Sequence, residues 1–282
     1  DTERHRTENA PKDVPDRAMR RCERASAIPG GSDRRPSSGW VQGAGRHQPV
    51  PTSATMSNAI TAIGNAVAVC AHPDDESFGL GAILSTLTRS TRRVGVVCFT
   101  HGEASTLSTT TGDDLGTTRT RELEAAANTL GINETLLLDY PDGHLESQPL
   151  DELAEHVRRF AQRLNADTLV TFDEGGITGH PDHQTATGAA IAAATSLDLT
   201  VLAWTLPEAV AALLNEKYQA TFAGQPVAMI DVELTVDRAR QREAISCHQS
   251  QSTNNAVLWS RLQLLGNREH LRYLRRRQTP PA

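Results

Sequence analysis

Two short segments carry the residue types that metal-assisted hydrolysis needs. His72-Pro73-Asp74-Asp75-Glu76 follows one apolar run, and Gly179-His180-Pro181-Asp182-His183 comes about a hundred residues later. One imidazole and one carboxylate from the first segment, with one imidazole from the second, make three ligands and leave a coordination position for water. His72 and Asp75 lie on a turn that leaves a strand, and His183 falls at the start of the helix after Pro181. Catalytic zinc typically takes three such protein ligands at roughly 2.0–2.2 Å. Ferrous iron, manganese and cobalt also accept this donor set.

The neighbours of these residues have chemistry of their own. Asp74 is expected to take the proton of the attacking water, with a helix N-cap as its plainer role. His180, as an imidazolium, is expected to stabilise the oxyanion or to protonate the leaving amine. Asp182 joins the catalytic group as the partner that fixes an imidazole's orientation. A single His-Pro-Asp is a common turn. Two of them at one sheet edge are not easily explained that way, because burying so many ionisable groups without a metal or ligand is costly.

These positions depend on the elements around them. Runs at 66–71, 94–99, 135–139, 168–172 and 200–204 are short, bounded by polar or turn residues and mostly rich in Val, Leu and Thr, so they read as strands. Helices are expected near 79–90, 117–130, 150–165 and 182–196, the second ending at Gly131. Leu153, Val157, Phe160, Ala161 and Leu164 form one buried face. Strand–helix alternation implies an α/β fold: a three-layer, Rossmann-like, mostly parallel sheet with helices on both faces, as a single domain. Sites in such sheets gather beyond the carboxyl ends of strands, where both His-Pro-Asp segments fall. Further on, 228–234 reads as a strand, and 236–247 and 254–265 as helices.

The first 55 residues differ from the rest. They are rich in Arg, Pro, Gly and Ser, lack periodicity, and are expected to be a disordered tail. Arginine far outnumbers lysine, and Met56 precedes the first structured segment, so the native protein is expected to start at Met56 and its one structured domain to cover 56–282. The tail holds ten Lys/Arg against seven Asp/Glu, so the net charge of −6 reflects an acidic remainder, which argues against a nucleic-acid partner. No apolar run reaches the length of about eighteen residues that suggests a membrane span, and no secretory signal is visible. Four scattered cysteines without a CxxC pair suit a reducing cytoplasm. The Arg272–Arg277 cluster reads as a solvated tail, and His47, His144, His156 and His270 as surface residues.

The pattern AHPDDE…GHPDH resembles the LmbE-like (PIG-L) superfamily of metal-dependent N-acetylglucosaminyl deacetylases, over about residues 65–275. The resemblance implies His72, Asp75 and His183 as zinc ligands, Asp74 as general base and His180 as electrostatic or acid catalyst. It also implies substrate contacts from Glu103 in Thr100-His101-Gly102-Glu103, from Arg119 opening a helix with Glu122, and from Asp142 in Asp142-Gly143. His248-Gln249-Ser250-Gln251 resembles a late His-x-Ser-Gln element of the family. Some relatives acting on thiol-pathway glycosides carry Tyr where this chain has Thr178, which leaves the substrate open. The expected activity is removal of the N-acetyl group from an N-acetylglucosamine-type glycoside or pseudodisaccharide. The alternatives are an amidase for a larger acyl group, on a thiol conjugate or antibiotic sugar, and a non-catalytic sugar-binding relative. The expected partner is a small glycoside, with no nucleic acid and no membrane, and a homo-oligomer is left open.

Overall fold

The computed structural model describes residues 63–90, 92–108 and 111–278. The expected tail over 1–55, the start at Met56 and His47 lie outside these residues. The first strand, β1 (Ala66–Cys70), is buried along its whole length. Its alternate residues enter two cores: Ala66, Ala68 and Cys70 one, Val67 and Val69 the other. That is the signature of a strand covered on both faces.

The chain continues through α1 (Asp75–Phe78), α2 (Gly81–Thr88), β2 (Val94–Thr100), α3 (Gly112–Leu130), β3 (Glu134–Tyr140), α4 (Leu150–Leu164), β4 (Thr168–Phe172) and α5 (Gly176–Gly179). Next come α6 (Pro181–Leu197), β5 (Thr200–Thr205), α7 (Glu208–Tyr218), β6 (Val232–Thr235), α8 (Ala239–Cys247), α9 (Gln249–Ser252), α10 (Ala256–Leu265) and β7 (Arg268–Arg275). The seven strands form one sheet in the order β3-β2-β1-β4-β5-β7-β6. β1 to β5 pair in parallel, and β7 runs antiparallel to both β5 and β6.

The helices form the outer layers. On one face α4 presents Val157 and Phe160, and α6 presents Ala189, Ala190 and Ala193, to Val67, Val69 and Val97. On the other, Ile83, Leu84 and Leu87 of α2 share a core with Trp204 of β5 and Leu271 of β7. Strand order reverses between β1 and β4, and that crevice is where α/β sheets place their sites. The loops after β1 and β4 carry the two His-Pro-Asp segments.

The α/β expectation holds, and the strand and helix positions hold with shifted ends. The second helix begins at Gly112, so Arg119 lies inside α3 and does not open it. It ends as expected, at Gly131 with φ 78°. The strand expected over 228–234 is shifted, with a 3-10 turn at Val227–Met229 ahead of β6. Helix α7 and strand β7 were not anticipated.

The arginine cluster is no tail. Arg272 and Arg275 lie in β7, where Arg272 reaches Glu174 at 3.2 Å and Arg275 reaches Asp198 at 2.8 Å. Just beyond the strand, Arg276 reaches Asp231 at 3.2 Å. Carboxylates on neighbouring loops offset the charge that argued against a strand. His270 is also buried, 7% exposed, with Nε2 3.4 Å from Glu233. His144 is exposed as expected, and His156 is half-buried against the Tyr140 hydroxyl.

Candidate active site

The loop after β1 is tightly folded. The Asp75 carboxylate Oδ2 accepts from the backbone N–H of Ala71 and of His72, at 2.9 and 3.0 Å. Asp74 has φ 132°, a conformation that an L-residue rarely takes and that stores roughly 1–3 kcal/mol. Three contacts hold it there. Its N–H donates to Glu76 Oε2 at 3.0 Å, and its carbonyl accepts from Ser77 and Phe78 N–H at 3.0 and 2.6 Å. Glu76 is fully buried and is itself held by His248 Nε2 at 2.7 Å and the Ser77 hydroxyl at 2.5 Å. On the β4 side, Ile177 has φ 63° and Pro181 opens α6, with His180 as its N-cap.

These two loops bring His72 Nδ1 within 3.3 Å of His183 Nε2, and Asp75 Oδ1 within 3.1 Å of the same His183 nitrogen. The outward nitrogens fix the tautomers. His183 Nδ1 faces the Gly176 carbonyl at 3.2 Å, which can only accept, so Nδ1 carries a proton. His72 Nε2 faces Asp142 Oδ1 at 2.9 Å and Asp182 Oδ2 at 3.2 Å, so it too is a donor. In the neutral rings that a cation would require, the inward nitrogens are then lone pairs that point at each other beside a carboxylate oxygen. Three acceptors converging without a donor fit a divalent cation, and the donor set suits zinc.

A second grouping, His72 with His180 and Asp182, is less suited to an ion. Asp182 Oδ1 and Oδ2 already accept from Leu145 and Gly143 N–H, at 3.1 and 2.7 Å. His180 Nδ1 accepts from Asp182 N–H at 3.2 Å.

Charge in the site follows this geometry. Burial opposes ionisation of His72, but the Asp142 and Asp182 carboxylates outweigh it and lift its pKa to about 10. Burial also opposes the charge on His183, yet Asp75 raises it above its ordinary value. Burial resists the Asp75 charge, and His183 and His72 nevertheless hold it well below the usual carboxylate range. Without a cation, protons balance the acceptors. Asp74 is different: burial lifts it to about 6, with Arg119 pulling down and Asp75 pushing up. His180 is lowered by burial and by its imidazole neighbours, so it faces the site neutral. With Nδ1 accepting, its Nε2 carries the proton.

The site opens into a cavity of about 610 Å³ whose walls include His72, Asp74, Asp75, His180 and His183. Thr178 lies on its rim, and its carbonyl accepts from Thr221. The three residues expected to touch substrate are internally engaged. Arg119 is 3% exposed and donates to Gly102 O at 2.7 Å, Pro73 O at 2.5 Å and Asp74 Oδ2 at 3.0 Å. Asp142 braces His72 and accepts from Ala104 N–H at 2.9 Å. Both line the cavity. Glu103 does not; its Oε1 accepts from Asp142 N–H at 2.9 Å and it borders a separate hollow. The late His-x-Ser-Gln element is part of the same scaffold, with Ser250 on Glu122 at 2.6 Å and Gln251 on Ser105 at 2.7 Å. Sequence reasoning missed the buried Glu76–His248 pair, although Glu76 stands in the motif, and the aromatic wall of Phe172 and Trp204.

Known proteins are similar to this chain in sequence or in fold. Residues 67–194 match the family model PIG-L: GlcNAc-PI de-N-acetylase. The chain is 36% identical over 129 residues to the probable N-acetylglucosaminyl-phosphatidylinositol de-N-acetylase of Schizosaccharomyces pombe, covering 43% of this chain and 48% of that protein. It is 30% identical over 139 residues to the 1D-myo-inositol 2-acetamido-2-deoxy-alpha-D-glucopyranoside deacetylase of Salinispora arenicola, covering 41% and 45%. The chain thus spans about half the length of the curated relatives it matches. The N,N'-diacetylchitobiose deacetylase of Pyrococcus horikoshii has a similar fold, with TM-score 0.59 at 18% identity over 81% of this chain and 95% of that one. The part of the chain that resembles the PIG-L family is thus residues 67–194, which hold both His-Pro-Asp segments.

Proposed function

We propose that this chain is a zinc-dependent N-deacetylase acting on an N-acetylglucosamine-type glycoside or pseudodisaccharide. The observation that carries the reading is the convergence of His72 Nδ1, His183 Nε2 and Asp75 Oδ1 on one point of the cavity wall, beside a carboxylate poised near neutrality. The named activities of the relatives support the substrate class. His72, Asp75 and His183 would hold the metal; iron, manganese or cobalt suit the same donors. When bound, the cation would polarise the amide carbonyl and acidify water.

The protein's own groups supply the remaining steps. Asp74 takes a proton from the attacking water, and its pKa of about 6 suits a base working near neutrality. Arg119 and the Glu76 carboxylate fix where that carboxylate points. His180 Nε2–H donates to the carbonyl oxygen as negative charge builds there. The C–N bond breaks, the proton held by Asp74 passes to the nitrogen, and acetate and a free amine leave. Asp182 and Asp142 hold the His72 ring. Asp142 and Arg119 on the cavity wall, with Glu103 behind Asp142, shape the sugar-binding side.

A cavity of this volume suits a small glycoside. Among the described residues, no helix is long and apolar enough to cross a membrane. Cys70 and Cys98 sit in register on β1 and β2 as free thiols, which supports a reducing, cytoplasmic setting. The test is acetate release from a panel of N-acetylglucosamine conjugates, with metal analysis of the same sample. Chelator-treated protein should be inactive and should recover with zinc; activity untouched by metal removal would defeat the reading.

A further inference from the structure

The cavity continues past the metal ligands along an aromatic wall. The Phe172 ring lies 4.8 Å from the His183 ring, centroid to centroid, and the Trp204 ring 5.5 Å from Phe172. The Arg261 guanidinium carbon lies 5.1 Å from the Trp204 ring. Phe78 and Leu258 complete the sides. Gly79 makes the approach possible, because a Cβ there would lie 2.3 Å from the Phe172 ring.

Arg261 is an unusual end for such a wall. Its Nη2 donates to the Phe78 carbonyl at 2.8 Å, but its buried Nε has no partner, and it forms no ion pair among the described residues. The nearby Glu269 is already taken by Arg238 and by Trp204 Nε1 at 2.7 Å. Burial pulls the Arg261 pKa down to about 10, still a cation at neutral pH. A half-buried guanidinium without a carboxylate is costly, and a ligand that brings one would be held by charge-assisted hydrogen bonds.

The wall also indicates which half of an amide substrate enters. A methylene chain has no polar group to leave unpaired against Phe172, Trp204 and Leu258. Ser105, Thr106 and Asp142, elsewhere on the cavity wall, offer polar groups to the sugar.

We propose that the site also hydrolyses N-(ω-carboxyacyl) amides, the half-amides of dicarboxylic acids, with Arg261 binding the distal carboxylate. This rests on the hydrolase reading above. Water adds to the amide carbonyl, the C–N bond breaks, one water proton goes to the nitrogen, and the products are the amine and a dicarboxylate.

The test uses the zinc-loaded full chain and glucosamine carrying N-acetyl, N-succinyl, N-glutaryl or N-adipoyl groups, each dicarboxylic amide also as its ω-methyl ester. At the best chain length kcat/KM should favour the free carboxylate over its ester by about tenfold or more. In Arg261→Met that ratio should fall toward unity, and Arg261→Lys should keep part of it. Calorimetry of glutarate against pentanoate reads the same preference without turnover and needs no variant. Acetyl hydrolysis without any preference for a free carboxylate would overturn the Arg261 proposal and leave the deacetylase reading intact. If no amide is cleaved, the deacetylase reading fails. The calorimetry then still decides on Arg261, with equal affinity for the two acids counting against it.

Discussion

Replacing Asp182 with asparagine isolates the contribution of one buried carboxylate to metal affinity. Asp182 is fully buried, and its oxygens accept from Gly143 N–H, Leu145 N–H and His72 Nε2. An asparagine has the same shape but one acceptor fewer. Its oxygen can keep the Gly143 and His72 contacts, and its NH2 then faces the Leu145 N–H, a donor against a donor. One lost bond of this kind costs about 1–3 kcal/mol of stability. Asp182→Ala exposes both backbone donors, for about 2–6 kcal/mol. The charge is lost as well, and weakening the acceptor behind a metal-binding histidine typically reduces affinity about 10–100-fold. Asp142 Oδ1 sits closer to the same nitrogen, at 2.9 Å, so the lower end is expected.

The double variant Asp142→Asn/Asp182→Asn should lose more than the two single losses combined, because each carboxylate covers for the other. His72 and backbone N–H contacts hold the Asp182 pKa below its ordinary value against burial. The stability it contributes is therefore present above about pH 4 and fades as pH falls through the lower folded value. Urea denaturation of metal-free protein measures the stability, and zinc titration against a competing chelator measures the affinity. Unchanged zinc affinity in the double variant would refute the claim that these carboxylates hold His72.

Three further perturbations have defined outcomes. Asp74→Asn should retain metal by elemental analysis yet reduce kcat by about 10²–10⁴, and the rise of wild-type rate through about pH 6 should disappear with it. His183→Ala should lose metal, while the zinc affinity of wild type should increase with pH, because the raised His72 and His183 pKa values mean that binding must displace protons. Gly79→Ala should lower stability by about 1–3 kcal/mol in denaturant melts, because the new methyl meets the buried Phe172 ring at 2.3 Å.

The legible parts of this chain are those where local pattern and global fold agree. Strands β1, β4 and β5 are apolar runs between turn residues; His72 stands just past β1, and His183 in the first turn of the helix that Pro181 opens after β4. β7 was hidden because Arg268–Arg275 reads as a charged surface, and its partners Glu174 and Asp198 come from distant loops. The roles of Arg119 and Asp142 were only half visible. Their residue types place them near the site, but α3 and the loop after β3 turn them onto Asp74 and His72. Arg261 gives no sequence signal at all. On a helix of alternating polarity a lone arginine looks solvated, and only the packing of α10 against Trp204 half-buries it.

The position of β7 between β5 and β6 has a consequence for how the chain assembles. On the ribosome, β1 to β5 emerge and can pair in order, each parallel strand closing on one already made. β6 has no neighbour to pair with until residues 268–275 follow it. Until then the hydrogen-bonding edge of β5 stays open, with Val201, Ala203 and Thr205 offering an unpaired rim beside Trp204. The nascent protein therefore exposes a sticky apolar edge until its last described strand arrives. Chains stalled or clipped before that point should be drawn to one another through this edge, whatever the state of the proposed metal ligands far upstream.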